Sequence, residues 1–386
     1  MRGKTARSAV PRGATALTLK TQAVLVEGDI QQFREELFLT KYWTQRVVDF
    51  LWQFPKKQLP KLNQVHQLFY NQLRQQGFRA HQAKQIYKYA LAIVKSAKQN
   101  RGSRPVLRKL TARLDKYDAS VDAESWVVTL KMRNRVFKLK LKHRLSYLEK
   151  FAGKKWYEVV ISIDKLGRIF VAIPFRWGYS PYSPAGCVSL DLNVKKLVSF
   201  DSRKVRRYDT RFTDAYSKKV HAERLQKKYP KRWRYNRRIL NRIRSLHRRG
   251  RNIIIDWTRK FAKQFVLKAK KQKKAVVLED LTNLWKYKSR QGKTLADKLS
   301  RFAYKKLQQA IITKAIEYNI PVLLVDPKDT SRMCPRCGTR MQEVMPRVMK
   351  CQKCGLILDR DSVGAMNIWK RGGCGGTLGS SRTLSQ

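Results

Sequence analysis

The chain has 386 residues, room for two or three domains, and its 86 Lys and Arg against 27 Asp and Glu give a formal charge of +59. An ordinary enzyme for small substrates has no use for such a surplus. It implies a polyanion partner with many phosphates, because the free protein would otherwise repel itself. No apolar run approaches the roughly 20 residues of a spanning helix, so no membrane partner, transmembrane segment or secretion signal is expected, and the location expected is the cytoplasm, at the nucleoid.

The first 26 residues contain no acid. That composition overlaps with an organellar transit peptide, but a basic arm lying on nucleic acid explains it as well. From about residue 30 to 100 the pattern is helical. Trp43, Val47, Phe50 and Phe54 share one face, and the helix should stop before Pro55. Leu62, Val65, Phe69 and Leu73 repeat the period, as do Ala83, Tyr87, Ala90 and Val94 after the break at Gly77. Arg101 to Pro105 reads as a linker.

From 124 to 175 the period becomes two. Trp126, Val128, Leu130 and Met132 alternate with polar residues, and Phe137, Leu139 and Leu141 alternate with Lys138, Lys140 and Lys142. Tyr157 to Ile163 leads through Asp164-Lys165-Leu166-Gly167 into Ile169 to Ile173, a hairpin signal. These antiparallel strands suggest a small barrel with a lysine-rich outer face.

Beyond Pro181 and Pro184 the order predicted is strand (Cys187 to Leu192), strand (Lys196 to Phe200), long helices, strand (Ala275 to Leu278), helix (Leu295 to Tyr318), strand (Pro321 to Val325), a cysteine cluster and a short helix. A meander followed by alternating helices and strands fits an RNase H-like α/β sheet. The tail from Gly372 is rich in Gly and Ser and is expected to be disordered.

Cys334 and Cys337, then Cys351 and Cys354, form two C-x-x-C knuckles separated by thirteen residues. Paired thiolates at this spacing can close one tetrahedral, structural Zn²⁺ site. Arg336, Arg340, Arg347, Lys350 and Lys353 around it would offer phosphate contacts. Cys187 and Cys374 lie far apart, so the usage reads as reduced and not as a disulfide framework.

Three acids stand at element ends. Asp191 closes Val188-Ser189-Leu190-Asp191, Glu279 ends Ala275-Val276-Val277-Leu278-Glu279, and Asp361 opens the terminal helix. Carboxylates at the ends of central strands are costly unless compensated. Two Mg²⁺ ions about 4 Å apart would compensate them and support phosphodiester cleavage. Asp280, on the opposite sheet face, and Asp359, free to cap the helix or orient Arg360, are the decoys.

Between Lys218 and Lys274 there are 23 Lys or Arg and two acids. Leu240, Ile243, Ile254, Trp257 and Phe261 keep a helical spacing, and Tyr229-Pro230 breaks the segment into a hairpin. A solvated helix normally mixes signs, so a nucleic-acid backbone explains this stretch better. The five histidines form no ligand spacing, and no Walker loop or Ser-His-Asp order is present.

Asp191-Leu192-Asn193-Val194-Lys195-Lys196-Leu197 resembles the first RuvC motif of the transposon-encoded TnpB nucleases. Leu278-Glu279-Asp280-Leu281-Thr282-Asn283-Leu284 resembles the second, and Asp359-Arg360-Asp361 through Asn367-Ile368 the third. The approach Asp329-Thr330-Ser331-Arg332-Met333-Cys334 is also similar. The resemblance covers roughly residues 186 to 370; the earlier part matches in layout only. Asn193 stands where a glycine is common in relatives.

The resemblance implies an RNA-guided DNA endonuclease, related to the compact type V CRISPR effectors, that cleaves double-stranded target DNA beside a short adjacent motif. The guide RNA would come from a transposon end or a CRISPR array, and base pairing, not the protein, would read the target. Asp191, Glu279 and Asp361 are then the ligands of two catalytic Mg²⁺, with one structural Zn²⁺ at the cysteines. The fold implied is α+β and multidomain: a basic arm and first part of a wedge barrel (1–29), a helical recognition lobe (30–104), a wedge β-barrel (105–185), a RuvC domain (186–333), an inserted zinc ribbon (334–354), a RuvC C-terminal helix (355–371) and a tail (372–386). The alternatives are a nuclease-inactive guided repressor and an unguided RNase H-fold nuclease or transposase. The sequence fixes no oligomeric state.

Overall fold

The computed structural model describes residues 6–10, 13–164, 166–193, 195–281 and 295–373. The expectations for Val194, for Thr282 to Leu284 and for the tail beyond residue 373, Cys374 included, lie outside them. Two compact units are formed, one from residues 14–178 and the other from residues 1–13 with 179–386.

After a short strand at Arg7–Ser8 (β1), the chain enters a long one, Gly13–Glu27 (β2). Leu17, Leu19, Thr21 and Ala23 are buried on one side of it, the period of two that a half-buried strand requires. Asp29 then caps Ile30–Trp52 (α1), accepting the Gln32 N–H at 2.8 Å. Leu62–Gln75 (α2) and Ala80–Gln99 (α3) follow. The three apolar periods read in the sequence meet in one core that includes Trp43, Val47, Val65, Phe69, Leu73, Ala83, Tyr87, Ala90 and Val94.

The rest of this unit is Leu110–Asp115 (β3), Ala119–Asp122 (β4), Val127–Met132 (β5), Arg135–Lys142 (β6), the helical turn Leu145–Leu148 (α4), Glu158–Ile163 (β7) and Ile169–Tyr179 (β8). These strands and β2 make a seven-stranded sheet in the order β3-β7-β8-β2-β6-β5-β4. Phe137, Leu139 and Leu141 are buried while the alternating lysines are not, as the period demands. The N-terminal strand β2 lies inside the sheet, between β8 and β6.

The other unit begins with a meander: Gly186–Asp191 (β9), Lys196–Phe200 (β10) and Val205–Asp209 (β11), paired antiparallel in turn. Phe212–Lys228 (α5), Arg232–Tyr235 (α6) and Arg237–Lys271 (α7) carry the chain across the sheet to Lys274–Glu279 (β12), which can therefore pair parallel with β9. Leu295–Glu317 (α8) leads to Val322–Val325 (β13), parallel to β12, with β1 antiparallel on its outer edge. The six-stranded order is β1-β13-β12-β9-β10-β11. Gln342–Met345 (β14), Val348–Lys350 (β15) and Ile357–Asp359 (β16) form a separate three-stranded sheet before the last helix, Arg360–Arg371 (α9).

β12 is buried on both faces, as a central parallel strand should be. Val276 and Leu278 pack with Phe261 and Phe265 of α7 and with Leu307 and Ile311 of α8. Ala275 and Val277 point the other way, onto Ile368 and Trp369 of α9. Among the described residues no helix is long and apolar enough to cross a membrane.

Candidate active site and cysteine cluster

Leu190 of β9 and Leu278 of β12 are register partners. Asp191 and Glu279 are the next residue on each strand, so the two acids close neighbouring parallel strands at the same level. Side chains two apart share a face of a sheet. Cys187 and Ser189 precede Asp191 on its face; Ala275 and Val277 precede Glu279. Cys187, Ala275 and Val277 pack on α9, and the Ser189 hydroxyl donates to the Ala365 carbonyl at 2.6 Å. Both carboxylates are therefore directed to the α9 side of the sheet.

Asp361 sits in the first turn of that helix. Asp359 is the N-cap: its carboxylate accepts the N–H of Asp361 at 3.0 Å and of Ser362 at 3.2 Å. Arg207 of β11 donates to Asp359 at 2.8 Å and ties the cap to the meander. Gly364, one turn further on, rests against Asp191. A Cβ there would lie 3.0 Å from Asp191 Oδ2, so the missing side chain is what lets α9 close over the strand end.

The three acids share one electrostatic field. Burial pushes the Asp191 carboxyl well above the usual range, and the charges of Glu279 and Asp361 push it further. Burial also raises Glu279, partly offset by the Thr330 hydroxyl, which donates to its Oε1 at 2.7 Å. Burial raises the Tyr304 phenol of α8, and the charges of Asp191 and Asp361 raise it further. Asp361 Oδ1 accepts from Asn193 Nδ2 at 2.8 Å and from the Arg347 guanidinium.

The decoys have other work. Asp280 pairs with Arg7 of β1 at 2.5 Å, and Asp359 caps α9 while binding Arg207 and not Arg360. Arg347, one of the basic residues expected to offer phosphate contacts, turns in from the β14–β15 connection onto Asp361. Cys187 is buried in the core beneath α9, and its carbonyl accepts from the Trp369 indole N–H at 3.1 Å.

The four remaining described cysteines converge. Their sulfur atoms all lie within 4.8 Å of one another, with Cys334 to Cys354 at 3.5 Å and Cys337 to Cys351 at 3.4 Å. With metal–sulfur bonds of about 2.3 Å a tetrahedron has edges of roughly 3.8 Å, so one ion fits this quartet. The knuckles repeat one backbone pattern. The Cys334 N–H donates to the Thr339 carbonyl at 2.7 Å and Gly338 N–H to Cys334 at 2.9 Å; the Cys351 N–H donates to Leu356 and Gly355 N–H to Cys351, each at 2.9 Å. Gly338 and Gly355 take φ of +76° and +70°, the left-handed region that a Cβ disfavours. Among the described residues this quartet is the one set of three or more His, Cys, Asp or Glu whose ligand atoms converge so closely. The three carboxylates share a face and a field without converging to that degree.

The family described as Cas12f1-like, TNB domain, matches residues 304–368, a span running from Tyr304 through the cysteine quartet into α9. A TnpB-like protein of Methanocaldococcus jannaschii is 29% identical over 224 residues, covering 55% of this chain and 77% of the relative. The CRISPR-associated endodeoxyribonuclease Cas12f1 of Sulfoacidibacillus thermotolerans is 36% identical over 95 residues, 24% of this chain and 21% of that protein. Among solved structures, a Cas12f1–sgRNA–target DNA complex matches with a TM-score of 0.64 at 13% identity, covering 92% of this chain and 98% of that one. The chain is a TnpB-family relative of the type V effectors. Its mixed α/β architecture is that of the compact effectors.

Four residues of this TnpB relative escaped the sequence reading as members of the site: Thr330, Asn367, Arg347 and Tyr304. Asn367 of α9 donates to the carbonyls of Thr330 at 2.7 Å and Met333 at 2.6 Å, and Val363 packs with the cysteines. The path from the cysteine quartet to Glu279 thus runs through Thr330. Thr330 and Asn367 stood inside recognised motifs, which was the available signal; nothing in the sequence marks Arg347 or Tyr304.

Proposed function

We propose that this chain is an RNA-guided DNA endonuclease of the RuvC type, with Asp191, Glu279 and Asp361 as ligands of catalytic Mg²⁺ and the cysteine quartet holding one structural Zn²⁺. The observation that carries the reading is the register of β9 and β12, which sets two costly carboxylates side by side beneath the helix that bears the third. The strand order around them, a three-stranded meander followed by two parallel strands, supports an RNase H-like domain, the small β14–β16 sheet a zinc ribbon, and the seven-stranded sheet with its three helices a wedge and recognition lobe.

Bound divalent ions would supply an activated water and stabilise the leaving oxygen of a phosphodiester. The chain's own residues prepare that site. Gly364 admits α9 against Asp191, Thr330 orients Glu279, and Asn193 and Arg347 hold Asp361, the residue that would bind the ions. An arginine at this point neutralises part of a three-acid cluster and lowers the cost of holding the acids near one another. The +59 charge serves an RNA scaffold and a guide–target heteroduplex. RNA and target DNA as partners fit the complex in which the Cas12f1 homologue was solved.

The test is to express the chain with its flanking DNA and sequence the RNA that co-purifies. A discrete RNA whose 3′ end runs into flanking sequence supports the guided reading. Random cellular RNA sinks it in favour of an unguided nuclease or a general polynucleotide holder.

A further inference from the structure

We propose that the tip of the α5–α7 hairpin is a stacking site for an unpaired RNA nucleotide, with Tyr235 as the face on which the base lies. The inference rests on the RNA-binding reading above and names a contact within it. From Arg224 to Ile255 the chain carries 13 Lys or Arg and no acid. Among the described residues none of these cations takes part in an ion pair, so their charge is available to a phosphate backbone.

Charge alone would describe any solvated basic surface; the aromatic residues at the tip distinguish this one. Trp233 packs between the helices with Ala222, Leu225, Ile239, Ile243 and Leu246, and Arg234 lies 5.4 Å from its ring centroid. Two residues on, Tyr235 faces outward with 85% of its surface exposed, the highest among the exposed large hydrophobic side chains of the described residues. Its backbone is held from both sides. Asn236 caps α7, accepting the N–H of Arg238 at 3.0 Å and of Ile239 at 3.1 Å, while Lys231 at φ +59° makes the turn that starts α6.

An outward aromatic ring on a short helix, with Arg232, Arg234, Arg237 and Arg238 beside it in the sequence, has the two elements of single-strand recognition: a stacking platform and cations for the adjoining phosphates. A duplex presents no free base face, whereas the loop of a structured RNA does. An unpaired loop nucleotide is therefore the occupant.

The full chain is titrated with a stem-loop RNA carrying 2-aminopurine in its loop, with the same stem as a blunt RNA duplex, and with a DNA hairpin of the same sequence. Tyr235→Phe keeps the ring and should leave stem-loop affinity and 2-aminopurine quenching unchanged. Tyr235→Ala should weaken stem-loop binding by about 5- to 100-fold and abolish the quenching. Its salt slope should be unchanged, because stacking releases no counterions, and blunt-duplex binding should not move. Melting temperatures equal to wild type would show that both variants fold. Equal stem-loop affinity for Tyr235→Ala and wild type overturns the stacking site while RNA binding itself stands. An effect of the same size on the DNA hairpin overturns the assignment to RNA. Failure of the wild-type chain to bind any of the RNAs overturns the RNA-guided reading with it.

Discussion

Thr330 donates its hydroxyl to Glu279 at 2.7 Å from the segment that leads into the cysteine quartet. The same residue's carbonyl accepts from Asn367 of α9 at 2.7 Å. One threonine thus joins an acid at the end of β12, the helix that carries Asp361 and the approach to the cysteine quartet. Thr330→Val keeps the shape and removes the hydrogen bond to a carboxylate, a loss of roughly 1.5–3 kcal/mol. Cleavage should slow by about 10-fold or more with RNA affinity unchanged. Equal losses in both would assign Thr330 to general folding.

The same connection makes the cysteine quartet a support for the acids. Cys354→Ser, or prolonged treatment with a zinc chelator, should lower the melting temperature and abolish cleavage together, because Val363 and Asn367 of α9 pack against or bond to that region. Full cleavage by a metal-stripped protein would show that the quartet and the acids are independent.

On the proposed reading, Arg347 and a divalent ion would compete for Asp361. Arg347→Ala removes the guanidinium from Asp361 Oδ1 and leaves Asn193 as the remaining donor named there. Calorimetric titration of the nucleic-acid-free protein with Mn²⁺ should give binding tighter by about 3-fold or more, from the relieved competition of a charged neighbour. Weaker Mn²⁺ binding would mean that Arg347 organises the site and does not merely hold it closed.

Asp201, buried at the end of β10, offers a test at acid pH. Burial alone would raise its carboxyl, but the Arg206 guanidinium and the N–H groups of Lys204 and Arg203 bring it down to about 2. A depressed carboxyl stabilises the fold above its unfolded value near 4, and the contribution disappears as pH falls toward 2. Asp201→Asn should cost about 2 kcal/mol of stability at neutral pH. The gap between variant and wild type should shrink through pH 4 to 2. A gap that stays constant with pH would contradict the ion-pair account.

Much of this arrangement was legible because two periods are strong signals. The 3.6-residue spacing of Trp43, Val47, Val65, Phe69 and Tyr87 led to one core, and the unbroken apolar run Ala275 to Leu278 reads as a strand buried on both faces. Strand β2 falls in the stretch expected, from the resemblance alone, to hold a basic arm and the first part of a barrel. Its own residues gave no strand signal because its buried positions include Thr21 and Ala23, whose small or polar side chains carry little hydrophobic signal. In the site, Asp191, Glu279 and Asp361 were conspicuous as rare acids at element ends. Their neighbours were not. Asn193 and Arg347 reach Asp361 from 168 and 14 residues away, and such pairings follow from sheet register and loop path, which one sequence does not encode locally. Arg347 illustrates the limit: a basic residue beside a cysteine knuckle reads as a phosphate contact, and its acidic partner Asp361 becomes visible only in the fold.

The most direct test of the central claim compares wild type and Asp191→Asn, each loaded with the co-purified RNA, on a library of complementary double-stranded DNA with randomised flanks and Mg²⁺. The account predicts that wild type binds and cuts targets bearing one short flanking motif, whereas Asp191→Asn binds the same targets and leaves them intact. Cutting by Asp191→Asn at the wild-type rate would contradict it, as would a wild-type protein that holds a discrete RNA and matched target yet never cleaves.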